Sequence, residues 1–222
     1  SLATPGFELR FSVWRDDLGT REGSRTMSAL LWDARRHVER MLGPFPGDER
    51  VEVLIYDPAT FAQLMDMPEW VAGVYDGRVR IPLDDLYGDT HLSDTVRHEL
   101  VHAFVDRLST RCPAWLNEGL AQWVEGEDLD RAAKRLGRSE QWLPYKDLAR
   151  PFLELGSEDR VRRAYDQGLL FVAWLSRFLG RPTLIQGIEA LGQEGTAEEV
   201  LAGVWGSAPA DLYEDWLLTR PR

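Results

Sequence analysis

Cysteine is nearly absent from this chain of 222 residues, with Cys112 the one thiol. A single cysteine forms no intrachain disulfide and builds no cysteine-based zinc site. Lysine is nearly absent as well: Lys134 and Lys146 stand among 26 basic residues, the rest arginine. That bias reads as the codon usage of a GC-rich genome and carries no mechanism. Net positive charge is lacking, because 37 acidic residues outweigh those 26 and leave −11 at pH 7. Nucleic acid and anionic membrane surfaces reward the opposite balance, so neither is expected as a partner. No apolar run approaches the roughly 20 residues of a membrane span. No basic segment followed by an apolar run opens the chain, so no export signal is read and the compartment stays open. Internal repeats and low-complexity tracts are also missing.

What is present is ordinary globular material, 44% hydrophobic and 28% charged, of a length that fits a single domain with two lobes. Phe7, Leu9, Phe11 and Val13 alternate with polar residues, the period of a half-buried strand. Met27, Leu30, Leu31, Val38 and Met41 recur at helical spacing from about Arg25 to Met41. Val51 to Tyr56 predicts a second strand, and Phe61 to Met65 a short helix. Val71 to Tyr75 and Arg78 to Pro82 flank Asp76-Gly77, which predicts a tight hairpin. From about Ser93 onward the pattern is helical: Ser93 to Leu108, Pro113 to Val124, Leu129 to Leu136, Glu158 to Leu179, Pro182 to Leu191, Ala197 to Val204 and Ala208 to Leu218. Gly180 is placed where a left-handed helix cap belongs, with Pro182 in the first turn of the next helix. The expected class is therefore α+β. A small sheet-and-helix lobe over about 1–92 is followed by a mainly helical lobe over 93–222, with the seam near Asp84 to Asp94.

Just past that seam stands His98-Glu99-Leu100-Val101-His102, an HExxH. Residues four apart share one helix face, so both imidazoles can reach one Zn²⁺, and Glu99 lies beside them within reach of a metal-bound water. Val101, Phe104, Val105 and Leu108 form an apolar stripe that would seat this helix in a core. A catalytic zinc takes three protein ligands and keeps one position open. Fifteen residues separate His102 from Glu118, enough for the helix to end, for a loop with Cys112-Pro113 to turn, and for a second helix to bring Glu118 back. The alternative for Glu118 is a plain acid near a helix N-terminus. His37 and His91 lie outside the motif and are read as surface residues. Among the nine tryptophans, Trp115 and Trp123 bracket Glu118 and are read as core and wall.

An HExxH with a downstream glutamate in Asn-Glu-Gly resembles the gluzincin metallopeptidases of the peptidase MA clan. Trp115 to Ala121, Trp-Leu-Asn-Glu-Gly-Leu-Ala, is similar to the third-ligand segment of aminopeptidase-N-like enzymes. The shorter insert before the glutamate looks more like bacterial peptidase MA-like domains, which are often joined to helical-repeat regions. The resemblance covers about Val71 to Gly180. It implies a thermolysin-like catalytic domain over 1–222, with one zinc per chain in a cleft between the lobes and a peptide or protein substrate. A flanking helical-repeat region outside this chain is implied as a companion. Tyr165-Asp166-Gln167-Gly168 resembles the family's Tyr-Glu-Lys-Gly, whose tyrosine donates to the oxyanion; Tyr165 takes that place. Gly73, Val74 and Tyr75 fall where the family has the edge strand that binds extended substrate. The glutamate by which aminopeptidases hold a free N-terminus is missing there, which tilts the expectation toward an endopeptidase. Gln122, one turn after Glu118, could orient a ligating histidine through its far nitrogen. Asn117 either joins it or starts the helix.

The expected activity is thus zinc-dependent peptide hydrolysis. One alternative is an exopeptidase that reads the substrate amine through Asp76. The other is a zinc-stabilised binding or latent module with negligible turnover.

Overall fold

A computed structural model describes residues 2–4, 6–11, 21–65, 71–83, 86–88, 91–137 and 142–219. Val13, the far end of the first expected strand, lies outside the described residues, as do parts of the expected seam. The chain divides into two compact units, Ser1–Phe104 and Val105–Arg222.

The first unit is built on five strands: β1 (Leu2–Thr4), β2 (Phe7–Phe11), β3 (Val51–Tyr56), β4 (Val74–Tyr75) and β5 (Val79–Pro82). Their order across the sheet is β1-β2-β3-β5-β4. β2, β3 and β5 run parallel, and the two edge strands pair antiparallel to their neighbours. Period-2 alternation sets the register, because a slip of one residue would turn every apolar side chain to the wrong face. Phe7 pairs with Val51, Leu9 with Val53, Val53 with Val79 and Ile55 with Ile81, and all of these are buried. The alternate positions Glu8, Arg10 and Glu52, with Arg78 beyond the strand, carry a chain of ion pairs at 2.8–3.0 Å. The sheet therefore has one apolar face and one polar face.

The crossover from β2 to β3 is α1 (Arg21–Leu42). Its buried stripe is Met27, Leu31, Ala34, Val38 and Leu42, which recur every three or four residues. Leu30 and Met41 flank that stripe, half-buried. Trp32 sets its ring edge-on to Phe7, with centroids 6.1 Å apart. α2 (Pro58–Met65) leads toward the hairpin of β4 and β5, whose three-residue loop contains Gly77 at φ 89°. The unit ends within α3 (Leu92–Leu108), where Phe104 packs edge-on against Phe45 at 5.5 Å. The contact division thus falls inside α3, while the 84–94 stretch marks where strands give way to helices.

The second unit is helical: α4 (Ala114–Glu125), α5 (Leu129–Gly137), α6 (Tyr145–Leu148), a 3-10 turn (Phe152–Leu155), α7 (Glu158–Phe178), α8 (Arg181–Ala190), α9 (Ala197–Trp205) and α10 (Pro209–Thr219). Its core is aromatic. Fully buried Trp115 meets Phe171 at 4.8 Å, and Phe171 meets Tyr213 at 5.3 Å and Trp216 at 5.4 Å. Trp115 is core as read; Trp123 is half-buried. α4 and α7 meet backbone to backbone. A Cβ added to Gly119 would sit 2.4 Å from the carbonyl oxygen of Gly168, so glycine is required there by contact rather than by dihedral angle. Gly180 departs from expectation: at φ 81°, ψ 148° it is not in the left-handed helical region but starts α8, and α7 ends on Leu179. That extended positive-φ conformation is essentially glycine's own. Among the described residues, no helix is long and apolar enough to cross a membrane.

Candidate metal centre

α3 places His98 and His102 on one face by its pitch alone. Their rings lie 4.8 Å apart at 79°. Both are half-buried, while Glu99 between them turns inward and is 4% exposed. α3 ends at Leu108, and the connection through Ser109 to Pro113 leads into α4, where Leu116 and Asn117 donate to the Pro113 carbonyl at 3.0 Å. Glu118 follows in the second turn. One ring nitrogen each of His98 and His102 and one carboxylate oxygen of Glu118 all lie within 4.8 Å of one another.

This group of two imidazoles and one carboxylate could hold a metal ion. The Gln122 amide oxygen, one turn beyond Glu118, is buried with no hydrogen-bond partner among the described residues, so it is an acceptor awaiting a donor. Asn117 is half-buried on the same helix. Cys112 is not in the ligand group. Burial pushes its thiol well above the usual range, and the Glu118 carboxylate adds to the rise.

Arg111 was not legible as a structural residue, yet it anchors the connection. Its Nε donates to the Leu191 carbonyl at 2.8 Å, one terminal nitrogen to Gly195 at 2.8 Å, and the other to Leu191 and Gln193. Ser109 Oγ accepts from the Arg111 N–H at 3.1 Å. The stretch that leads into the Glu118 helix is therefore tied to the end of α8.

Of the three hairpin residues singled out by sequence, Gly73 lies beside Glu99. Val74 and Tyr75 form β4, at the edge of the sheet, and no strand covers its outer side among the described residues. Gly73 immediately precedes them. A Cβ at Gly73 would sit 2.8 Å from Glu99 Oε1 and 3.0 Å from its Cγ. Any side chain there would have to displace the buried carboxylate. Asp76, the acid considered for reading a substrate amine, is already engaged: Arg80 Nε donates to both its oxygens at 3.0 and 2.9 Å. That hydrogen bonding raises the Arg80 guanidinium above its ordinary range, and Arg80 also donates to the Tyr56 hydroxyl.

No protein-family model matches the chain, and no curated protein matches it, so the functional reading rests on these residues themselves. Tyr165 lies in the second turn of α7, half-buried, with its ring edge-on to Phe152 of the 3-10 turn at 5.1 Å. Three residues on is Gly168, which meets Gly119, the neighbour of Glu118. The glycine contact therefore links the Tyr165 helix to the Glu118 helix. Of the remaining histidines, His91 is exposed and His37 half-buried, and neither belongs to the ligand group.

Proposed function

We propose that this chain is a zinc-dependent peptidase of the gluzincin type that cuts within peptide chains. The observation that carries the reading is the gathering of His98, His102 and Glu118 within 4.8 Å, with Glu99 turned inward between the two histidines. A sheet unit followed by a helical unit, with the HExxH on the helix that leaves the sheet, is the order a thermolysin-like domain would need. His98, His102 and Glu118 would hold one zinc. Bound there, zinc would supply a Lewis acid and a water acidified toward neutral pH.

The chain's own groups do the rest. An extended peptide adds to the outer side of β4 and takes backbone hydrogen bonds from Val74 and Tyr75. Gly73, bare of side chain, lets that strand lie against Glu99. Glu99 takes the proton of the attacking water and later delivers it to the leaving amine. Tyr165 donates a hydrogen bond to the oxygen that gains charge at the scissile carbonyl. Gln122 accepts the far N–H of a ligating histidine and holds its ring in place.

An internal cut is favoured over trimming from the N-terminus. Val71 to Tyr75 contains no carboxylate, and the Asp76 carboxylate is taken by Arg80. The test is digestion of a diverse peptide mixture, half of it N-acetylated, read by mass spectrometry with Glu99→Gln as control. The expected result is internal cuts in both halves, with turnover about 10³-fold slower in Glu99→Gln. Cuts confined to free N-termini would make it an exopeptidase. One zinc per chain with no cuts would make it a latent or binding module.

A further inference from the structure

The middle of α7 is not filled as a buried helix normally is. Directly after Tyr165 come Asp166, 3% exposed, and Gln167, fully buried. Buried polar side chains cost stability unless paired, and both are paired to residues remote in sequence. Arg135 of α5 sets its guanidinium fork on Asp166, with Nε at 3.1 and 2.9 Å from the two oxygens, and also reaches Glu127 at 3.0 Å. These hydrogen bonds hold the Arg135 guanidinium above its ordinary range. The Gln167 amide accepts the Leu143 N–H at 2.9 Å, donates to the Leu143 carbonyl at 3.2 Å, and donates to the Tyr213 hydroxyl. Tyr213 in turn donates to the same Leu143 carbonyl at 2.7 Å. The next residue, Gly168, is held against α4: a Cβ there would lie 3.1 Å from the Trp115 carbonyl oxygen.

Stability alone does not account for this arrangement. A buried ion pair is often no better than two apolar side chains of the same volume. What the polar contacts supply is direction. The three residues after Tyr165 are tied in turn to α5, to the 142–144 segment with α10, and to α4. Those ties fix both the rotation and the slide of α7 at Tyr165, and Phe152 closes on the ring itself.

We infer that Arg135, Asp166 and Gln167 are positioning residues. Together with the Gly168–Gly119 contact, they lock α7 so that the Tyr165 hydroxyl is held at a fixed place relative to Glu118. The catalytic meaning of that placement rests on the peptidase reading above; the placement itself does not.

The test replaces the ion pair by an apolar pair, Arg135→Met with Asp166→Leu, and sets it beside Tyr165→Phe and the triple variant. Fluorotyrosine is incorporated into the zinc-loaded protein, and the Tyr165 ¹⁹F resonance is identified by its loss in Tyr165→Phe. The double variant is expected to keep its melting temperature and its single zinc. Its ¹⁹F line for Tyr165 should shift and broaden. Its kcat on N-acetylated peptides should fall about 10²-fold with KM little changed, as for loss of one oxyanion donor. Adding Tyr165→Phe should cost nothing more, because the donor is already displaced. An unmoved ¹⁹F line, a wild-type kcat, or losses that multiply in the triple variant would overturn the inference. Should the apolar pair not fold, Gly168→Ala serves in its place, since its Cβ needs the Trp115 carbonyl to yield by only a few tenths of an ångström; the same three outcomes decide. Zinc bound with no cleavage by wild type would sink the peptidase reading and leave the ¹⁹F line to decide the positioning.

Discussion

α3 and α7 place their candidate functional side chains in opposite ways. α3 needs only its own pitch: residues four apart share a face, and apolar neighbours Val96, Leu100, Val101 and Phe104 bury the rest of the helix. Helix pitch alone puts His98 beside His102. α7 depends on contacts from far along the chain, with Asp166 held by Arg135 and Gln167 held by Leu143 and Tyr213. A group that only has to bind a metal can be delivered by helix geometry and a little side-chain freedom. A single hydroxyl that must meet a developing charge has no such tolerance, because an error near an ångström is costly.

If α3 is self-sufficient, its ligands should fail one at a time. His98→Ala should raise the zinc dissociation constant beyond the roughly 10–100-fold that loss of an outer partner costs, and abolish cleavage, as read by chelator competition. Unchanged affinity would break the comparison at its first term. A smaller effect is expected where the Gly73 backbone lies against Glu99, the proposed base. Gly73→Ala should leave zinc bound but displace Glu99, lowering kcat by about 10²-fold; equal loss of zinc and turnover would mean the whole of α3 had moved. The smallest effects separate glycines by their surroundings. Gly119→Ala drives a Cβ to 2.4 Å from backbone and should cost about 2 kcal/mol in chemical denaturation. Gly203→Ala in α9, with nothing within 4 Å, should instead stabilise by about 0.5–1 kcal/mol. A Gly119→Ala that stabilises as Gly203→Ala does would show that the α4–α7 contact is not tight.

The difference between the helices also governs what could be read from the residues. The two histidines of the candidate metal group were legible because their spacing is local, and β3 (Val51–Tyr56) was legible because alternation is local too. Glu118 was legible from the chain length needed to return to the histidines. The engagement of Asp76 by Arg80 was not, since Asp-Gly already accounts for a turn and says nothing about which cation faces it. β1, α6 and the 3-10 turn escaped because three or four residues carry no period. Gly180 was placed correctly at the junction but in the wrong conformation, because glycine after a helix serves equally to start the next one. Nothing in the sequence pairs Asp166 with Arg135 or Gln167 with Leu143, since those partners lie 31 and 24 residues away. A parallel pairing such as β2 with β3 is likewise invisible in either strand alone.

The most direct test of the central claim is X-ray absorption at the zinc edge of the loaded protein, made alongside Glu118→Ala and Glu99→Gln. One zinc per chain is expected, with a nitrogen and oxygen shell at about 2.0–2.2 Å that includes two imidazoles and no sulfur. It should be lost or reordered in Glu118→Ala and intact in Glu99→Gln. A sulfur shell at about 2.3 Å from Cys112, or an unchanged spectrum in Glu118→Ala, would contradict the assignment of His98, His102 and Glu118 as the metal centre.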